Sequence, residues 1–127
     1  MDRLEVSSTP ISGGSWDGFG GAPDPIVEVY VGNRSNLVAS FDGPDNTFAI
    51  SYSSAYVSRQ KASDIIAYLG FRIIDEDITD HDFIGWCYYT RLGPSVWQEV
   101  QIVLHCERDS STENSGFTLV WHLEADF

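Results

Sequence analysis

Hydrophobic and polar positions alternate along most of this chain with a period of two, the spacing that puts successive side chains on opposite faces of a strand. In residues 26–31, Val27, Val29 and Val31 share one face and Glu28 lies on the other. Leu69, Phe71 and Ile73 alternate in the same way, with Arg72 opposite. Val100, Ile102 and Leu104 repeat the pattern, with Gln101 and His105 outward. The cleanest case is Phe117, Leu119, Trp121 and Leu123, facing away from Thr118, His122 and Glu124. Residues 2–9, 37–41, 47–52 and 83–90 are expected to supply further strands. Many short strands separated by turn residues predict an all-β sandwich or barrel.

The segments between these runs carry turn chemistry: Gly13-Gly14, Gly20-Gly21, Gly32-Asn33, Asp42-Gly43-Pro44 and Gly93-Pro94. Residues 108–116 form a polar excursion expected to be a mobile loop. Residues 54–68 alternate weakly, and residues 62–68 fit either a helical turn or a strand edge. Neither an internal repeat nor a domain boundary is visible, so residues 1–127 are expected to form a single domain with a sizeable core.

Composition narrows the function classes. The 19 acidic residues outnumber 7 basic ones, for a net charge of −12, and Lys61 is the only lysine. A nucleic-acid surface needs basic side chains to displace counterions, so nucleic acid is excluded as a partner. A basic face for anionic lipid is poorly supported for the same reason. No apolar run reaches the roughly 18 residues of a spanning helix. The opening Met1-Asp2-Arg3-Leu4-Glu5 lacks the features of a secretory signal. A cytoplasmic protein is therefore expected, with Cys87 and Cys106 as reduced, buried thiols. A disulfide between neighbouring strands is the alternative.

The remaining signal is a pair of aspartate clusters. Asp17 and Asp24 bracket a glycine-rich segment ahead of the strand beginning Pro25-Ile26. Asp75, Asp77 and Asp82 lie between two apolar runs, with Asp80 nearby. Calcium takes 6–8 oxygen ligands at about 2.3–2.6 Å in a tolerant geometry, which suits carboxylates converging from two loops. On an extended backbone Asp75 and Asp77 project to one side, and Asp82 returns toward the same point. The backbone carbonyls of Trp16 and Glu76 could complete the shell. A single ion balances two carboxylates, so five aspartates point to one or two calcium ions.

These residues resemble a known family. The run from Asp17 to Asp24-Pro25-Ile26-Val27 is similar to the first calcium loop of C2 domains, where an aspartate precedes an Asp-Pro strand start. Phe71-Arg72-Ile73-Ile74-Asp75-Glu76-Asp77, followed by Asp82-Phe83-Ile84-Gly85, resembles the family's third loop. Weaker echoes are Asp45-Asn46-Thr47-Phe48, and Trp97 with the strand after Ser115-Gly116. The resemblance implies an eight-stranded antiparallel β-sandwich with calcium loops at one end. One strand before the first loop and a long closing strand resemble the permuted, type II topology. It implies Asp17, Asp24, Asp75, Asp77 and Asp82 as the metal ligands. The first loop is one residue longer than is common and the third one shorter, so Asp80 is an alternative to Asp82.

Simpler roles compete with each of these. Aspartate is a common turn residue, which accounts for Asp42, Asp45, Asp64 and Asp109. Trp16, Phe19 and Ile78 are candidate membrane or partner contacts at the loop tips, Trp being suited to the bilayer interface; capping the sandwich is the alternative role for Trp16 and Phe19. His105 and His122 fall on outer strand faces and His81 at a loop tip, without zinc spacing or a nucleophile motif. A non-enzymatic calcium-binding module is expected, engaging an anionic phospholipid surface or a protein partner. A structural or assembly subunit using the sandwich as a scaffold is the alternative.

Overall fold

The computed structural model describes residues 3–6, 23–43, 47–52, 56–76, 81–93, 95–96 and 101–123, with backbone alone for His81 and Asp82. Eight strands and one short helix follow one another: β1 (Arg3–Val6), β2 (Pro25–Val31), β3 (Leu37–Asp42), β4 (Ala49–Ser51), α1 (Ala62–Ala67), β5 (Leu69–Glu76), β6 (His81–Tyr89), β7 (Ile102–Cys106) and β8 (Phe117–Trp121). They form two four-stranded antiparallel sheets, ordered β4-β1-β8-β7 and β3-β2-β5-β6. The first and last strands, β1 and β8, are neighbours.

Alternation decides the faces. Val27, Val29 and Val31 of β2 and Leu69, Phe71 and Ile73 of β5 are buried, and meet Leu4, Phe117, Leu119 and Trp121 of the other sheet in one core. On the outer face of the β2-β5-β6 layer the same period sets polar and aromatic groups side by side. Glu28 and Arg72, paired in register, form an ion pair at 2.7 Å. The Tyr30 ring meets Trp86 edge-on with centroids 5.0 Å apart, and Tyr68 stacks on Tyr88 at 5.3 Å.

The two cysteines are bonded to each other, Cys87 of β6 to Cys106 of β7. This overturns the expectation of reduced thiols. The strands belong to different sheets, and no local signal in the sequence brings residues 19 positions apart to a Cα separation of 5.8 Å.

One local alternative is resolved and two local expectations change. Residues 62–67 are helical, although no side chain caps the helix and none of its residues is fully buried. Its anchors are backbone bonds, Leu92 N–H to Ile66 O at 3.2 Å and Gly32 N–H to Tyr68 O at 3.0 Å. His81 opens β6 opposite Glu76 instead of sitting at a loop tip. The 108–116 excursion is tied down. Asp109 and Asn114 exchange backbone bonds at 3.0 Å, and the Ser111 N–H and hydroxyl both donate to Asp109 Oδ1, lowering the pKa of that carboxyl.

The anchor of that segment is Asn114, which is buried with Ser115. Its side-chain amide accepts from Trp86 N–H at 2.6 Å and donates to Trp86 O at 3.3 Å, and Ser115 N–H reaches Ile84 O at 2.8 Å. The segment thus covers the outer edge of β6, which an unprotected sheet would leave open to pairing. Gly116 follows with φ +103°, a conformation glycine adopts without a Cβ penalty.

Tyr52 yields a pH prediction. Its buried hydroxyl finds no hydrogen-bond partner among the described residues, and burial pushes its pKa from 10.0 up to about 12. A raised folded-state pKa means that the unfolded chain loses its proton first as pH rises. The contribution is therefore intact below pH 10 and is lost progressively toward pH 12. Denaturant unfolding across alkaline pH is expected to show this slope, flattened in Tyr52→Phe. At neutral pH the same variant is expected to be unchanged or more stable, since it removes a buried hydroxyl without a partner.

Candidate calcium-loop end of the sandwich

The end of the sandwich at which β2 begins, β5 finishes and β6 begins gathers three of the five candidate aspartates by strand register alone. Pro25 pairs with Asp75, and Asp75 pairs with Asp82. Asp24 immediately precedes β2, and the backbone bond from Glu76 N–H to Asp24 O, at 2.9 Å, closes that end of the ladder.

Asp75 stands out among these residues. Its place in the alternation continues the inward series Leu69, Phe71 and Ile73, and it is 0% exposed. A carboxylate taken out of water is costly unless hydrogen bonds or opposite charge compensate it. One compensation is visible: Asp24 N–H donates to Asp75 Oδ1 at 2.8 Å. The first aspartate cluster is thereby fastened to the second, across 51 positions of sequence. Pro25, also buried, favours the extended backbone that aims the Asp24 amide at this carboxylate.

Two chain segments leave this end, residues 7–22 and residues 77–80, and both lie outside the described residues. They contain Asp17, Asp77 and Asp80, the carbonyl of Trp16, and the candidate contacts Trp16, Phe19 and Ile78. Glu76 ends β5 with its side chain exposed. Of the five candidate ligands, Asp24 and Asp75 have described side chains. Among the described residues, no group of three or more His, Cys, Asp or Glu side chains is placed to hold a metal ion.

The histidines stay apart from this end where their side chains are described. His105 is exposed on β7, its Nδ1 3.2 Å from the Thr118 hydroxyl, and His122 follows β8. Sequence reasoning held the disulfide only as an alternative, and missed the amide of Asn114 on the edge of β6. A polar residue next to a glycine carries no mark that it will be buried.

No protein-family model matches the chain, and no curated protein matches it. Among solved structures it is similar to one described as the structure of a C2 domain, with a TM-score of 0.59 and 14% identity, covering 94% of this chain and 89% of the other. At that identity the likeness concerns the fold: two four-stranded antiparallel sheets in the C2 arrangement.

Proposed function

We propose that this chain, a β-sandwich of C2 fold, is a non-enzymatic calcium-binding module acting through the loops at the Asp75 end. The observation that carries the reading is the fully buried Asp75 carboxylate, fastened to the Asp24 amide at 2.8 Å and standing in register with Asp82. Hard oxygen donors brought to one sheet end fit calcium. Asp17, Asp24, Asp75, Asp77 and Asp82 would hold one or two ions, with Asp80 and the carbonyls of Trp16 and Glu76 as further donors.

The chain's own residues do two things in this reading. The carboxylates repel one another when unbalanced, which loosens the loops that carry them. The Asp24–Asp75 bond keeps the two loop bases together, so that the donors are gathered before any ion arrives. Bound calcium supplies positive charge that relieves the repulsion and stabilises the folded state by mass action. The local potential then moves from strongly negative toward neutral or positive, which favours an anionic partner.

With 7 basic residues against 19 acidic ones, a phospholipid headgroup would be held weakly, and a protein partner is the other candidate. The scaffold reading draws support from exposed apolar side chains, including Leu37 of edge strand β3 and Val103 of β7, each 48% exposed. No helix among the described residues is long and apolar enough to cross a membrane.

The melting temperature measured in calcium and in chelator tests the proposal. A rise of about 10 °C is expected at 100 times the dissociation constant, from the mass-action gain and the unfolding entropy of a chain this long. An unchanged value sinks it. Co-sedimentation with anionic and with neutral vesicles, in calcium, then separates lipid from protein targets: pelleting with anionic vesicles alone supports the membrane arm.

A further inference from the structure

The Cys87–Cys106 bond joins strands that share no ladder. β6 is the edge of one sheet and β7 the edge of the other, so the bond closes the sandwich along one side. Within the strands, Cys87 stands opposite Phe71 and Cys106 opposite Phe117, both buried core rings. Cys106 itself is 3% exposed.

Two readings of such a bond differ in chemistry. A redox relay or sensor needs an accessible sulfur and, commonly, a resolving thiol nearby. This chain has two cysteines in total, both consumed in the one bond, so it has no internal thiol to resolve a mixed disulfide. Cys106 is buried, so an attacking thiolate reaches its sulfur only if the sandwich opens, while Cys87 is partly buried. The other reading is a structural staple between two sheets. Bonds of that kind form and persist in oxidising compartments and are rare where glutathione and thioredoxin keep thiols reduced.

We infer that this domain is matured by thiol oxidation and works in an oxidising compartment, with the Cys87–Cys106 bond as a structural clamp between its sheets. This replaces the cytoplasmic expectation, from which the reduced thiols had followed. In the maturation step the two thiols lose two protons and two electrons as the sulfur–sulfur bond forms. The acceptor is a disulfide, either of an oxidoreductase or of glutathione, which departs as two thiols after one mixed-disulfide intermediate. The inference does not rest on calcium and is tested in chelator, so that failure of one reading leaves the other standing.

The test uses the full chain directed to an oxidising compartment of an expression host, purified without reductant, denatured and treated with a maleimide-linked polymer. No adduct is expected before reduction and two afterwards. The melting temperature is then compared with that of the reduced, alkylated protein and of Cys87→Ala/Cys106→Ala. A loss of about 10 °C is expected in both, from the chain entropy restored when a loop of this length is opened. A failure of the double variant to fold counts in the same direction when the alkylation of the wild-type chain shows the bond. Two adducts before reduction, or equal melting temperatures with and without the bond, overturn the inference.

Discussion

Asp75→Asn is expected to abolish the calcium-dependent rise in melting temperature while leaving the chelator value unchanged or higher. The substitution preserves shape and keeps an oxygen that accepts the Asp24 N–H, which lies 2.8 Å from Oδ1. It removes the negative charge from a residue that is 0% exposed. In chelator a carboxylate held out of water carries a solvation cost that the amide avoids. In the calcium-bound state proposed above, the same charge would serve as a ligand. The variant therefore separates the two states: about 2.7 kcal/mol of stabilisation at 100 times the dissociation constant, or about 10 °C, should disappear. Calorimetry of both proteins in calcium and in chelator reads the outcome. A variant that keeps the full increment removes Asp75 from the ligand set, whatever the remaining aspartates do.

Gly85→Ala is expected to destabilise the domain by about 2–3 kcal/mol, the upper part of the range for overpacking a close-packed core. A Cβ built at Gly85 would lie 2.7 Å from Phe117 Cδ1 and 2.8 Å from Cε1, with Asn114 Oδ1 at 3.1 Å. None of the three has an easy escape. Phe117 is buried in the core, and Asn114 is held on the edge of β6 by its two bonds to Trp86. Moving the ring disturbs the contact between sheets; moving the amide exposes the β6 edge. Denaturant unfolding measures the loss, and adding Phe117→Leu to Gly85→Ala tests its cause. The pair should be less destabilised than the sum of the two single changes, because the smaller side chain vacates the space the methyl needs. Strict additivity would show that the clash is not what Gly85 avoids.

Gly85 also shows how residues that read alike in sequence come to differ. Gly85 is one of 11 glycines in the chain, and the Asp82-Phe83-Ile84 before it sets it apart only through the likeness to the third C2 loop. Its physical role depends on Phe117, 32 positions later, a separation fixed only when β6 of one sheet packs across β8 of the other. Asp75 is similar. Its spacing from Asp77 and Asp82 marks it as a candidate ligand, but its complete burial follows from where β2 and β6 pair with β5.

The chain alone determined what short-range physics controls. Period-two alternation in β2, β5, β7 and β8 sorted inward from outward side chains, because strand geometry needs only nearest neighbours along the backbone. The proline after Asp24 and the apolar runs flanking Asp75 placed these two aspartates at strand ends by the same local rules. Tertiary structure alone decided the joins. It bonded Cys87 to Cys106, laid Asn114 on the edge of β6, and fastened the Asp24 amide to the Asp75 carboxylate. Each of these joins residues distant in sequence, and each depends on how the sheets are ordered and faced. A sequence carries that order only as the collective outcome of burying one core, so no window along the chain displays it.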